Sequence, residues 1–258
     1  MTADSGLLQR GRLLLVNAYT IVLRRLGILG GDWESSLPSE CPFWEKALAN
    51  EGRDWHPAAF RERTDPNLEL QEELKTLLDA PEGAVVKILD IGAGPLTTLG
   101  KKWRGRELKI VPLDPLAEQY NALLARLSIR PPIPTLRGFG ENLVEQFGEE
   151  SFDLAYSSNA LDHTQDPVTV IRQMLKVVKT GHYVYLTHFT NEGHREGYWG
   201  IHQWNFDIKR GDLVISDGRG RRYTANGEFG RLATVQCESG ILYDRATVVA
   251  KLRKTSSR

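Results

Sequence analysis

Apolar and polar positions divide the chain into two textures. From Met1 to about Ala80, apolar residues recur at helical spacing between turns such as "LGILGGDWESSLPSE" and "RTDPN", and no run alternates convincingly as a strand does. Leu7, Leu8, Leu14, Leu15, Ala18, Ile21 and Val22 form one apolar stripe, which fits a helix packed on the domain, on a partner subunit or over a site. Residues 1–80 are therefore expected to form an N-terminal helical cap or lid. From Ala84 onward, short β-branched runs alternate with amphipathic stretches: "AVVKILDI", "ELKIVPLD", "PIPTLRG", "FDLAYSS" and "HYVYLTHF", then "RLATVQCES" and "ILYDRATVVAKL". This alternation predicts an α/β domain over residues 81–258 with a mainly parallel sheet. Only Gly240 and its neighbours separate the last two runs, so they are expected to close the sheet as an antiparallel hairpin. Residues 191–230 read as a long polar insertion rich in Gly, Arg and aromatics, with a small hairpin in "LVISDGRGRRYT".

Composition narrows the class. A chain of 258 residues suffices for one large domain with an added cap, and 41% apolar with 26% charged residues excludes a disordered or fibrous protein. The formal net charge is zero, so the chain lacks the basic track that neutralises phosphates, and nucleic acid is not an expected partner. Cys41 and Cys237 lie far apart in no metal-type spacing and read as free thiols of a reducing cytoplasm. Arg10, Arg12, Arg24 and Arg25 interrupt the apolar N-terminal stretch, so no membrane span is expected there.

The candidate chemistry starts where the first strand runs into "GAGPLTTLG". Asp90, Gly92 and Gly94 stand at the carboxyl edge of that strand, where open α/β sheets bind ligands, and glycine lets the backbone turn sharply and approach a ligand. A dinucleotide fingerprint would place a third glycine at Thr97; its absence argues against NAD or FAD. The second strand ends in Asp114, at the spacing where a carboxylate accepts hydrogen bonds from ribose hydroxyls.

With these residues, over roughly Ala84 to Lys251, the chain resembles the class I S-adenosylmethionine-dependent methyltransferases. The resemblance implies a Rossmann-like, seven-stranded, mostly parallel sheet with a C-terminal antiparallel hairpin. It places Asp90, Gly92 and Gly94 at the methionine part of the cofactor, Asp114 at the ribose, and Phe139, Gly140 and Glu141 of "RGFGENL" at the adenine. Phe139 departs from the family's pattern, which commonly has an Asp there, so Glu141 or a backbone carbonyl would take the adenine amino group, with Phe139 against the ring. For Glu141 a plain helix first-turn role stays open. "FDLAYSSNALDHTQDP" resembles the family's fourth strand and following loop, which sets Asn159 beside the methionine end and Asp162 and His163 next to the transferred methyl group.

Methyl transfer to a hydroxyl needs an aligned nucleophile and a group that takes its proton. His163 suits the second task, and Asp162 suits orienting an imidazole, binding a hydroxyl or ligating Mg²⁺; a loop-ordering role for His163 stays open. His188, at the end of the fifth strand, is the rival base. Tyr198, Trp199, His202 and Trp204 in "GYWGIHQWNF" offer rings and polar groups that fit a sugar, or an ordinary packed loop. Trp55, Arg61, Arg63 and Asp65 fit either a lid or a solvated helix face. The same "GYWGIHQWNF" text is loosely similar to bacterial sugar and polysaccharide O-methyltransferases of the methylmannose-polysaccharide type. The expectation is a cytoplasmic S-adenosylmethionine-dependent O-methyltransferase of a saccharide hydroxyl, with Mg²⁺ as a further cofactor and a homodimer left open. Methylation of a nitrogen or phenol in a natural product, and a non-catalytic cofactor-binding subunit, are the alternatives.

Overall fold

The computed structural model describes residues 33–53 and 55–256. The apolar stripe of residues 7–22 lies outside the described residues. The described chain begins with α1 (Trp33–Ser36), a 3₁₀ turn over Leu37–Glu40, α2 (Cys41–Ala49), α3 (Pro57–Thr64) and α4 (Glu72–Leu78). Residues 33–40, read from sequence as a turn, are helical; Pro38 stands in the first turn of the 3₁₀ segment, where its missing N–H costs nothing.

The main sheet has seven strands: β1 (Val85–Ile91), β2 (Glu107–Asp114), β3 (Leu136–Arg137), β4 (Phe152–Ser158), β5 (Val178–Phe189), β9 (Ala233–Leu242) and β10 (Arg245–Lys254), in the order β3-β2-β1-β4-β5-β10-β9. β1 to β5 pair in parallel and β10 runs antiparallel between β5 and β9. The period of two along each strand feeds two cores. Leu89, Ile91, Val184 and Leu186 pack on one face with α7 (Pro167–Val177), while Val86, Ile88, Leu154 and Tyr185 pack on the other with Leu70 and Leu74. Helix α7 starts where Asp166 accepts a hydrogen bond from Val168 N at 3.0 Å with Pro167 in its first turn. Between β2 and β3, α5 (Ala117–Arg126) packs its Tyr120, Leu123 and Leu124 against Trp44 and Leu48 of α2; α6 (Leu143–Phe147) follows β3.

Two details differ from the sequence reading. The closing hairpin turns at Tyr243 and Asp244, both with positive φ (51° and 60°), rather than at Gly240. A two-residue turn with two left-handed residues matches the twist of its flanking strands; Gly240 lies inside β9 opposite Thr247.

The second difference concerns residues 191–230, which are not a loose polar loop. After the short α8 (Glu192–Arg195) they form an antiparallel sheet of β6 (Trp204–Lys209), β7 (Asp212–Asp217) and β8 (Arg222–Thr224), followed by α9 (Ala225–Phe229). The β7–β8 pair is the small hairpin expected in "LVISDGRGRRYT". Trp204, Phe206, Leu213, Ile215 and Phe229 are buried in the same core as Val184, Leu186 and Val248 of the main sheet. Alternation in "WNFDIK" marks β6, hidden by its polar partners. Among the described residues, no helix is long and apolar enough to cross a membrane.

Candidate active site

Strand order reverses between β1, which continues outward to β2, and β4, which continues to β5. A crevice opens at such a switch point, beyond the carboxyl ends of the strands. Here it is a cavity of about 870 Å³ whose wall includes Asp90, Gly92, Gly94, Asp114, Gly140, Glu141, Asn159, His163 and His202.

The glycine turn is fixed from both sides. Gly92 (φ +71°) donates to Leu113 O at 2.8 Å, and a Cβ on it would lie 2.2 Å from the Ala160 Cβ. Gly94 (φ +64°) donates to Asp114 Oδ2 at 3.0 Å, and Leu116 N donates to Asp114 Oδ1 at 2.9 Å. Each Asp114 oxygen thus takes one backbone donor and keeps a lone pair for a ligand hydroxyl. Burial pushes the Asp114 carboxyl up to about 6, against the two backbone N–H groups and the charge of His163. Asp90 is likewise pushed up to about 6 by burial, while Thr97 Oγ1 donates to its Oδ2 at 2.6 Å and pulls the other way. Thr97, which stands where a dinucleotide motif would have glycine, is therefore the hydrogen-bond partner of Asp90.

The β4 loop is held in place by its neighbours. Asn159 adopts a left-handed conformation (φ +49°), donates its N–H to Thr187 O at 2.7 Å and accepts from Phe189 N through Oδ1 at 3.1 Å. Glu141, raised by burial, accepts from Gln165 N at 3.2 Å across the cavity rim. Gly138 lines the cavity beside Gly140, whereas Phe139 does not; its ring meets Trp33 at 6.4 Å. The expected stacking of Phe139 on a bound base is therefore corrected: the backbone of Gly138 and Gly140 borders the cavity instead.

Asp162 is 1% exposed and stands behind the wall rather than in it. Its Oδ2 lies 2.9 Å from His202 Nδ1 and 3.2 Å from His163 Nε2, the two rings meet at 2.9 Å, and its Oδ1 has no hydrogen-bond partner. Burial works to raise the Asp162 carboxyl, but the His163 charge and hydrogen bonds from both imidazoles outweigh it and hold it well below the usual carboxylate range. For His163 burial works downward, and the Asp162 charge and hydrogen bond push it up to about 9. Trp33 Nε1 donates to His163 O at 2.6 Å and ties the first helix to this loop. The expected Mg²⁺ contact through Asp162 is corrected: its oxygens are buried behind two rings, and a hard cation of this kind keeps waters and oxygen ligands around it. Among the described residues, the donors that do meet at the wall are Glu40, His163 and His202, one ligand atom from each lying within 4.8 Å of the others.

His188 is not brought to the cavity. Thr187 and Phe189 line it, so strand alternation turns His188 to the opposite face, where it stacks on Phe206 at 4.1 Å. Neither ring nitrogen has a partner, and burial pushes it down to about 4. Of the four expected substrate residues only His202 lines the cavity. Tyr198 is buried and accepts from Asn205 Nδ2 at 2.9 Å; Trp204 is in the core with Nε1 donating to Thr164 O at 3.1 Å; Trp199 is 73% exposed. Those three are corrected to packing and surface positions.

Aromatic lining comes from elsewhere, from Trp33, Phe43, Trp44, Trp55 and Tyr243. Of the four lid candidates Trp55 and Arg63 line the cavity, whereas Arg61 and Asp65 do not. Arg63 sits between Trp44 and Trp55, 5.3 and 5.0 Å from their ring centres, and donates to Leu96 O at 2.7 Å. Sequence reasoning missed Glu40, Trp33 and Trp44. The aromatic cluster in "PFWEK" was the available signal, but it does not say which way the helix faces.

Residues 89–186 match the family described as a methyltransferase domain. Among curated proteins, none matches the chain. Solved structures similar to it include Burkholderia thailandensis 1,6-didemethyltoxoflavin-N1-methyltransferase with 1,6-didemethyltoxoflavin and S-adenosylhomocysteine bound (15% identity, 88% of this chain and 92% of that chain covered, TM-score 0.48). A SAM-dependent methyltransferase from Aquifex aeolicus is similar at 14% identity, with 82% and 97% covered and a TM-score of 0.45. The CMeT domain of the citrinin polyketide synthase is similar at 16% identity with a TM-score of 0.46; 66% of this chain is covered, and it spans about half, 47%, of that one.

Proposed function

We propose that the protein is an S-adenosylmethionine-dependent O-methyltransferase of a small hydroxylated molecule, with a sugar or glycoside as the first class of acceptor. One observation carries this reading: the glycine turn, the strand-end acids and the His163–His202 pair all open into a single cavity of about 870 Å³, room for a cofactor and a small acceptor together. The residues fit the cofactor. Two left-handed glycines would let the ligand approach the backbone closely, Asp114 keeps lone pairs that ribose hydroxyls could use, and Gly138, Gly140 and Glu141 line the part of the cavity we assign to the base.

When bound, S-adenosylmethionine supplies a methyl group already activated on a sulfonium. The chain's own task is then to hold an acceptor oxygen in line and ease off its proton. Asn159, tied to both Thr187 and Phe189, fixes the loop that carries Asp162 and His163; the Asp162 charge keeps His163 protonated near neutral pH, so His163 can donate to the acceptor oxygen and His202 is the wall imidazole suited to take its proton. Rings of Trp44, Trp55 and Tyr243 offer faces for the C–H side of a sugar, and Glu40, Glu192 and Glu196 accept from its hydroxyls.

A second reading, transfer to an amine nitrogen, draws support from charge. Among the described residues, the carboxylates Glu40, Glu62, Glu73, Glu192, Glu196 and Glu238 line the cavity against two arginines, Arg63 and Arg245, and Arg245 is paired to Glu192. Calorimetry with S-adenosylhomocysteine tests the cofactor: Asp114→Ala should weaken binding about 5- to 150-fold, the cost of about 1–3 kcal/mol for unpaired ribose hydroxyls. Unchanged affinity removes the placement. Transfer of labelled methyl to a panel of glycosides and amines then separates the two acceptor classes.

A further inference from the structure

We propose that Glu40, His163 and His202 bind one divalent first-row transition ion at the cavity wall, with Asp162 as the carboxylate that orients the His202 imidazole. Its place in the reaction rests on the methyl-transfer reading; the site itself does not. Three features carry it.

The donor set comes first. Two imidazoles and one carboxylate, each about one-fifth to one-quarter exposed (His163 20%, His202 25%, Glu40 19%), converge from three separate segments. His202 Nε2 stands 4.0 Å from Glu40 Oε1. Donors around one ion at bond lengths of about 2.0–2.2 Å sit roughly 3–3.5 Å apart, so small side-chain rotations close the set. Nitrogen-rich ligation of this type suits zinc, iron, cobalt or manganese rather than Mg²⁺, whose ligands are oxygens.

The carboxylate behind the rings comes second. Ligating histidines usually donate their other N–H to a carboxylate, which fixes the tautomer and turns the free lone pair to the ion. Asp162 Oδ2 lies 2.9 Å from His202 Nδ1, which leaves the lone pair of a neutral His202 on Nε2, the nitrogen nearer Glu40. Oδ1 of the same carboxylate is buried without a hydrogen-bond partner, so Asp162 keeps acceptor capacity beyond its bond to His202.

The position comes third. All three donors line the cavity, while Asp162 does not, so the remaining coordination positions of a bound ion open to an acceptor. An acceptor hydroxyl on the ion would be aligned and its pKa lowered, which is the easing of the proton that methyl transfer to oxygen requires.

The test uses the full chain freed of metal with a chelator and titrated with Co²⁺, Zn²⁺ and Mg²⁺ by calorimetry, with the visible absorption of coordinated Co²⁺ recorded, without acceptor or cofactor. One ion per chain is expected. His202→Ala and Glu40→Gln should each weaken it at least tenfold, and Asp162→Asn, which keeps the shape, by about 10- to 100-fold. Circular dichroism accompanies each variant, and Glu40→Gln, on a surface turn, decides the matter if His202→Ala fails to fold. No Co²⁺ or Zn²⁺ binding in the parent protein, undiminished binding in folded Glu40→Gln, or a preference for Mg²⁺ overturns the proposal. S-adenosylhomocysteine affinity in the same metal-free samples keeps the two readings apart: retained affinity without an ion site sinks only the metal, and an ion site without cofactor affinity sinks only the cofactor.

Discussion

Along the ends of β1 and β2 the cavity wall is tied by hydrogen bonds of short reach: Thr97 to Asp90 across seven residues, Gly94 to Asp114 across 20. The wall made by the N-terminal helices and the segment after β5 is tied across much longer separations, His202 to Asp162 across 40 residues and Trp33 to the His163 carbonyl across 130. The first wall follows from a motif, because one strand, one turn and the next strand already bring its groups together. The second exists only once distant segments have packed. The same residue types therefore mean different things in the two walls: a carboxylate at a strand end is a site residue by position, while an aromatic in the later segment is as often core.

The harshest way to break the first wall is Gly92→Ala. The added Cβ would lie 2.2 Å from Ala160 Cβ in a left-handed backbone, which should cost about 3 kcal/mol and abolish S-adenosylhomocysteine binding by calorimetry. Adding Ala160→Gly should recover much of the thermal stability and leave a strain of about 1 kcal/mol.

Next in size is a pH effect on the same wall. The Asp90 carboxyl, at about 6, lies above its ordinary value of 3.8, so the folded state holds its proton longer than the unfolded one. The contribution to stability is whole below about pH 4 and is lost as pH rises through about 6. Asp90→Asn should therefore melt like the parent near pH 4 and gain up to about 3 kcal/mol at pH 8, in thermal scans across that range, while cofactor affinity falls.

Smaller effects are expected where the sequence pointed to chemistry and the fold supplies packing. His188→Phe keeps the stack on Phe206 and removes two buried nitrogens without partners, which should raise stability by about 1 kcal/mol and leave turnover unchanged. A hundredfold loss of turnover would return the proton-accepting role to the fifth strand. Trp199→Ala, at a side chain 73% exposed and away from the cavity, should leave cofactor affinity and turnover within about twofold, as expected for a surface position; any larger drop would mean that it meets the acceptor after all.

The alternation of short apolar runs was enough to read the strands of the main sheet, and their order followed from the family resemblance. That Asp90, Gly92, Gly94 and Asp114 line a cavity at the strand ends was legible because strand ends and a glycine turn are local features. The strand Trp204–Lys209 was not, because its polar partners masked the alternation of Trp204, Phe206 and Ile208. His188 was misread because being at a strand end says nothing about which face a residue takes; the cavity-lining positions of Thr187 and Phe189 decide that. Glu40 was invisible for another reason: no spacing rule links residue 40 to residues 163 and 202.

The small sheet has a consequence for any attempt to re-engineer acceptor choice. Residues 202–204 hold the β4 loop through Gln203 N to Asp162 O at 3.0 Å and Trp204 Nε1 to Thr164 O at 3.1 Å, while Trp204, Phe206 and Phe229 fill the core shared with Val184, Leu186 and Val248. The segment therefore behaves as a keystone and not as a detachable loop. Grafting residues 191–230 from a relative would import a new cavity wall only if the facing side chains of β5 and β10 travel with it, and a graft without them would leave the β4 loop, and with it His163, without its support.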